Sequence, residues 1–362
     1  MKSYKQFGHF KLVAIVLSLG SVALIWATIA GAGHRQIALL LPDVRPDHKE
    51  QYLCVAHKLP VSSQSQYIVG FTPKGNSDRV HHMLMFGCSL PGVQKRDSPS
   101  YVWDCGEMHS ADSSNELGTY EQAPVCRGNQ HVLYGWALDA PSLKLPRDMG
   151  LKVGGMASDI KYLVLQVHYG HFKVFQQQPD LTDNSGLLLD MKPDEPASGI
   201  ARQAGVLLLI SYGKVPTGKS RHEIWCDIED DIEIHPFRFR VHTHKLGTKV
   251  LGAKLGSKEK TQDGFGNLEV EDNHIIGVGD PQKPQMFYPV REENLTIRKG
   301  DSVYAYCEFN NNQTHSVNIG PTANDEMCNY YLMYWTYNER LLSKSNCFGA
   351  NPRSLIQYAL WK

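Results

Sequence analysis

The sequence predicts an all-β protein of two antiparallel, jelly-roll-like β-sandwich domains. Three observations carry that expectation. Short strand-like runs alternate with turn clusters along most of the 362 residues. The chain holds 31 Gly and 19 Pro, with Tyr, Val and Thr spread throughout, and neither a long amphipathic helix nor a solenoid repeat stands out. The length exceeds one typical domain and suits two, and 42% hydrophobic residues let either half bury a core.

The first element is a targeting segment, residues 1–33. Lys2, Lys5 and Lys11 precede an apolar run from Leu12 to Ala32 that small residues close. A basic start, apolar middle and small-residue end describe a secretory signal peptide. An apolar run of about 20 residues is also long enough to span a bilayer, so an uncleaved signal anchor, with membrane attachment, stays open. Either way the rest of the chain is expected in the lumen of the secretory pathway, in a secretory vesicle or outside the cell.

A polar stretch follows to about residue 50. The N-terminal domain is expected over 48–198, with strand-like runs to about residue 175. The polar segment Gln176 to Ser198 reads as the domain junction. The C-terminal domain is expected over 199–350. It opens on the run Gly205 to Ile210 and continues to about Tyr337.

Eight cysteines, none in a CxxC pair, follow a secretory signal. That combination reads as four disulfides formed in an oxidising compartment. Four lie before residue 130 and four after residue 220, so two bridges per half is the simplest arrangement. Two sequons, at Asn294 and Asn312, are candidate glycosylation sites. The 37 basic and 37 acidic residues cancel, which gives no electrostatic reason to expect nucleic acid as a partner.

Four segments carry candidate chemistry. In Phe237 to His244, strand alternation puts Phe237, Phe239, Val241 and Thr243 on one face and Arg238, Arg240, His242 and His244 on the other. Two imidazoles on one strand face can bind one metal ion, and an arginine one step along can hold an anionic group beside it. A solvated polar face is the alternative. In Asp325 to Met333, Met327, Asn329, Tyr331 and Met333 share a face that suits the wall of a site, or a core strand with a gap-filling Met. In Val80 to Cys88, His81 and His82 face opposite ways on a regular strand and share a metal only through a twist or bulge. In Tyr162 to Gly170, Tyr162, Val164, Gln166 and His168 share a face, and a lone histidine there is more often structural than a ligand. Imidazole suits copper, zinc and iron, and a thioether favours Cu(I). A set of two His and one Met is therefore a plausible copper site.

Together these segments resemble the catalytic core of the peptidylglycine α-hydroxylating monooxygenases, which stand with dopamine β-monooxygenase among the ascorbate-dependent copper enzymes. The resemblance runs from about Tyr52 to Cys347. It is carried by HHMLMFGC, LQVHYG, RVHTHKLG, QMFYPV and DEMCN, in that order.

The resemblance implies two β-sandwich domains with one copper each, facing an open, solvent-filled interdomain cleft. It implies an electron-transfer copper held by His81, His82 and His168, and an oxygen-binding copper held by His242, His244 and Met327. Arg240 would pair with the substrate carboxylate, Asn329 and Tyr331 would complete that pocket, Met333 would line it, and Gln166 would lie between the sites. The implied disulfides are Cys54–Cys105, Cys88–Cys126, Cys226–Cys347 and Cys307–Cys328. The implied reaction hydroxylates the α-carbon of a C-terminal glycine in glycine-extended peptides. It uses two copper ions, O2 and ascorbate, and passes its product to a separate peptidyl-α-hydroxyglycine lyase.

The sequence departs from the family in three places. The segment Thr182 to Gly186 lacks a cysteine that vertebrate members use for a further disulfide, so a looser junction is expected there. The chain ends soon after the second domain, so a monofunctional enzyme is expected. The loop between Cys105 and Cys126 is longer than usual. Two competing readings remain. One is a dopamine β-monooxygenase-like amine hydroxylase, against which Arg240 and Asn329 speak by suiting a carboxylate. The other is a secreted copper-binding protein without catalysis, against which the six filled ligand positions speak.

Overall fold

The computed structural model describes residues 35–60, 62, 64–94, 101–106, 118–256, 274–320, 322, 324–337 and 340–349. The leader segment and most of the loop between Cys105 and Cys126 lie outside the described residues. Among those described, no helix is long and apolar enough to cross a membrane.

The first half forms β1 (Arg35–Leu40), β2 (Gln51–Lys58), β3 (Gln66–Lys74), β4 (His82–Cys88), β5 (Val102–Asp104), β6 (Gln130–Ala137), β7 (Leu143–Lys144), β8 (Met149–Val153) and β9 (Tyr162–Tyr169), then a one-turn helix α1 (Lys173–Gln177) and β10 (Gly186–Pro193). The second half forms β11 (Arg202–Ile210), β12 (Lys214–Val215), β13 (Gly218–Asp227), β14 (His235–His242), β15 (Gly247–Leu255), β16 (Ile275–Gly279), β17 (Tyr288–Pro289), β18 (Ser302–Asn311), β19 (Val317–Asn318), β20 (Asn329–Thr336) and β21 (Asn346–Phe348).

Each half is a sandwich, as expected. In the first, a five-stranded sheet in the order β5-β2-β9-β4-β6 faces β1-β10-β3-β8. In the second, a four-stranded sheet β13-β18-β15-β16 faces β11-β20-β14-β17. The two four-membered paths join into one sheet because β8 and β11 pair in parallel, Met149 opposite Arg202 and Gly150 opposite Gln203.

Strand alternation explains why both halves share that sheet. On β11, Leu207 and Leu209 enter the second core while Ala204, Val206 and Leu208 enter the first. On β20, Tyr330, Leu332 and Tyr334 enter the second core while Tyr331 and Met333 enter the first. These strands are therefore buried on both faces, and the interface between halves is itself hydrophobic core.

Several expectations need correction. The region from Gln176 to Ser198 is not linker throughout. Its centre is β10, paired with β1 and β3, with Leu187, Leu189 and Met191 buried. The stretch ahead of residue 48 contains β1, whose Ile37 and Leu39 join the first core. Phe237 does not share the core face of Phe239 and Val241. An irregularity between Pro236 and Arg238 in the pairing of β14 with β20 turns it toward the first core.

The four disulfides are Cys54–Cys105, Cys88–Cys126, Cys226–Cys347 and Cys307–Cys328, the pairs the family resemblance implies. In the segment from Thr182 to Gly186, where the sequence predicts a looser junction, Asp183 forms a buried polar knot. Its carboxylate accepts hydrogen bonds from the Tyr169 hydroxyl (2.8 Å) and from Ser185 N and Oγ (both 3.0 Å). This ties the end of β9 to the segment that leads into β10.

Candidate metal centres

The first centre forms where β4 and β9 lie side by side. His82 and His168 are direct partners in that ladder, so their rings project from one face. His81 precedes the first strand residue, and the backbone there is released from strand alternation. That break resolves the difficulty of two adjacent histidines. Nδ1 of His81 lies 3.2 Å from Nδ1 of both His82 and His168, and the last two are 3.4 Å apart. Three ring nitrogens converging so closely cannot all satisfy one another as donors and acceptors. The geometry fits a shared cation, and among the described residues this is the group of three whose ligand atoms gather closely enough.

The outer partners orient these rings. His168 Nε2 donates to Glu50 Oε2 at 2.8 Å, which leaves Nδ1 as the free lone pair. Glu50 has left-handed backbone geometry (φ 56°), uncommon for a glutamate. Tyr52 on β2 stacks on the His168 ring at 4.1 Å and 3°. Burial holds the His81 imidazole down at about 3, with further repulsion from His168. It also holds His82 well below the usual histidine range, and it lowers His168 against the pull of Glu50. All three are therefore neutral imidazoles at pH 7, the form that can bind a metal.

The second group forms where β14 meets β20. Arg240 and His242 share the face that points away from the second core, and they sit opposite Tyr331 and Asn329. Each imidazole is fixed by its Nδ1. His242 donates to Gln285 Oε1 at 2.5 Å, and His244 donates to the Asp325 carbonyl at 2.9 Å. Among the described residues, His244 Nε2 is buried without a partner. Burial lowers both pKa values, that of His242 further because the Arg240 cation is close. Met327 precedes β20, and its sulfur receives Asn329 Nδ2 at 3.7 Å. The neighbouring Cys307–Cys328 bridge ties this segment to β18. Two imidazoles and one soft thioether form a donor set that suits copper, above all Cu(I).

Glu326 organises the backbone around this group. Its buried carboxylate accepts from the N–H groups of His244 (2.9 Å), Leu246 (2.6 Å) and Met327 (3.3 Å). Burial raises its pKa, and those three donors pull it down. The carboxylate thereby pins the β14–β15 turn to the segment that carries Met327.

Arg240 is 1% exposed. Its Nε donates to the Gln285 carbonyl at 2.8 Å, and its guanidinium lies 4.7 Å over the Tyr331 ring. Among the described residues Nη1 has no partner, and neither does Asn329 Oδ1. Gly135 on β6 makes room for this cation from the other half, since a Cβ there would sit 3.3 Å from Arg240 Cζ.

The two groups do not face an open cleft as expected. Their rings are in direct contact: His81 to His244 at 5.6 Å and His82 to His242 at 5.8 Å between centroids. What remains between them is a small cavity lined by Gln166, Arg240, Asn329, Tyr331 and Met327 among others. The physical reason is the apolar interface around it, where Tyr331, Met333 and Phe287 join the first core. Gln166 lies in the wall between the groups, with Nε2 bound to the Gly106 carbonyl at 2.8 Å and Oε1 unpartnered. Met333 is buried one step further along β20 and does not line the cavity.

Glu50, Gln285 and Glu326 escaped the sequence reading as functional residues. The last two lie inside the motifs QMFYPV and DEMCN, which marked them without assigning a task.

The two-sandwich fold carries a three-histidine group in one half and a His-His-Met group in the other, two donor sets that each suit a copper ion. The copper type II ascorbate-dependent monooxygenase N-terminal domain matches residues 37–176, and the C-terminal domain of that family matches residues 202–359. The chain belongs to the copper type II ascorbate-dependent monooxygenases. It is 34% identical over 331 residues to peptidyl-glycine alpha-amidating monooxygenase A of Xenopus laevis, covering 90% of this chain and 31% of that one. It is 33% identical over 312 residues to the Mus musculus peptidyl-glycine alpha-amidating monooxygenase, covering 85% and 27%. Human dopamine beta-hydroxylase is 25% identical over 327 residues, covering 83% and 46%. The chain thus spans about a third of the length of the amidating relatives.

Proposed function

We propose that this chain hydroxylates the α-carbon of the C-terminal glycine of glycine-extended peptides, with copper, ascorbate and O2, as the first step of peptide C-terminal amidation. The observation that carries the reading is the buried Arg240 with its unpaired Nη1, set beside His242, His244 and Met327. A buried unpaired cation is costly, and a substrate carboxylate would complete it. An amine substrate, cationic at neutral pH, would add like charge instead. The likeness to the amidating relatives points the same way.

In this reading His81, His82 and His168 hold the electron-transfer copper, and His242, His244 and Met327 hold the copper where oxygen reacts. The two coppers supply one electron each and the activation of dioxygen. The protein's own residues do the positioning. Arg240 grips the carboxylate through Nη1, Asn329 donates to it through the Nδ2 hydrogen not aimed at the Met327 sulfur, Tyr331 forms the floor under the guanidinium, and Met333 packs behind it. Gln166 occupies the ground between the two groups. Holding the α-carbon in register can contribute about 7–11 kcal/mol to lowering the barrier. One oxygen atom enters the C–H bond and the other leaves as water, using two electrons from ascorbate and two protons. A separate lyase would then cleave the α-hydroxyglycine product.

The basic and apolar leader supports the secretory lumen as the compartment of this chemistry, with the chain secreted or membrane-anchored. The two halves, one from β1 to β10 and the other from β11 to β21, would act as the two copper domains. Asn294 and Asn312 are exposed and open to glycosylation. The deciding experiment supplies copper, ascorbate and a glycine-extended peptide and reads products by mass. A gain of one oxygen on the terminal glycine is expected. Turnover of a phenethylamine and not of the peptide would overturn the reading.

A further inference from the structure

We propose that Gln285 is a positioning residue that couples the copper ligand His242 to the carboxylate clamp Arg240, an inference that rests on the function proposed above. Gln285 is 4% exposed, and its orientation is fixed by its surroundings. Its Nε2 donates to two carbonyls, Thr243 O at 3.2 Å and Pro281 O at 2.9 Å. Carbonyls only accept, so the amide cannot be flipped. Its Oε1 therefore faces His242 Nδ1 at 2.5 Å and Arg240 Nη2 at 3.4 Å. The Gln285 backbone carbonyl takes Arg240 Nε at 2.8 Å.

Two consequences follow from that one residue. An amide oxygen can only accept, so His242 carries its proton on Nδ1 and offers the Nε2 lone pair to the metal. Gln285 also occupies one side of the guanidinium, Nε–H and one Nη2–H. The Nη1 end, buried and unpartnered, is left for a carboxylate. The tautomer of the ligand and the aim of the clamp are set by the same side chain.

The test crosses two variants with two readouts. Gln285→Met keeps the length and removes the acceptor. Copper affinity of the His-His-Met site, measured by chelator competition, is expected to fall about 10–100-fold. The KM for a glycine-extended peptide rises at least about 10-fold, as for loss of a charge-assisted contact, while the three-histidine site keeps its affinity. Gln285→Glu restores the acceptor for His242 but gives up the donor to the Thr243 and Pro281 carbonyls, so it recovers part of the copper affinity that the Met variant loses. Its charge pairs with Arg240 internally, so the KM stays high. A merely structural glutamine would not produce this split. The proposal is overturned if the folded Met variant keeps both values within about twofold, or if the Glu variant restores the KM. Should the Met variant not fold, the Glu variant decides alone: raised KM with copper retained at the His-His-Met site supports the coupling, and unchanged KM overturns it. Absence of peptide turnover by the wild type would instead defeat the functional reading, and the copper-affinity arm would still test the Gln285–His242 bond.

Discussion

His168 donates its Nε2 proton to Glu50 at 2.8 Å while its Nδ1 faces His81 and His82. A carboxylate behind a ligating imidazole fixes the tautomer and raises ligand basicity. Removing it with Glu50→Ala should lower copper affinity at the three-histidine site by about 10–100-fold. Competition titration with a chelator reads this directly, and the His-His-Met site serves as the internal control. Unchanged affinity would show that Glu50 is only a surface partner.

Met327 is the one soft donor in its group. Its sulfur favours the reduced metal, which imidazole alone does less well. Met327→His should retain two coppers per chain, because imidazole is itself a good ligand. Turnover should fall by more than the roughly 10–100-fold typical of an outer-shell loss. Copper analysis and steady-state oxygen uptake on the same sample separate the two effects. Near-normal turnover would remove Met327 from the proposed site.

The sequence made some of this legible and hid the rest for identifiable reasons. Alternation on β14 and β20 was visible, so the shared faces of Arg240 with His242 and of Asn329 with Tyr331 could be read directly. The convergence of His81 could not, because it depends on where β4 begins. Strand β10 was hidden in a polar segment, since only its pairing with β1 and β3 makes Leu187, Leu189 and Met191 a core face. Strand β1 was hidden beside a far more apolar leader. Gln285 and His242 lie 43 positions apart, so their bond exists only in the fold. The closed contact between the two metal groups was equally invisible, because it depends on how the halves pack through β8 and β11.

Acid should destabilise the metal-free protein through its buried histidines. His81 is held at about 3 by burial, against an ordinary value of 6.5, and His82 and His242 are also held well below theirs. The unfolded chain therefore binds more protons than the folded one between about pH 6.5 and pH 3, so stability falls as pH falls through that window. Each such group contributes at most about 1.4 kcal/mol per pH unit. Chemical denaturation of the metal-free protein at pH 7, 6, 5 and 4 should show the decline, and His81→Asn should make it shallower. A profile level across that range would contradict the burial argument.

Arg240 offers a test in which stability and binding move apart. A buried ion with no counter-charge costs about 3–5 kcal/mol, while leaving the Gln285 carbonyl without its donor costs about 1–3 kcal/mol. The contact over the Tyr331 ring adds up to about 2 kcal/mol to the loss, so the two sides nearly cancel and Arg240→Met should leave the melting temperature of the substrate-free protein close to that of the wild type. The carboxylate contact it removes is of the charge-assisted kind, about 1.5–3 kcal/mol. The KM for a glycine-extended peptide should accordingly rise roughly 10–150-fold. A peptide with its terminal carboxylate blocked should be a poor substrate for wild type and variant alike. If the blocked peptide reacts as well as the free one on wild type, Arg240 is not the clamp, and the buried cation must be answered by some other anion.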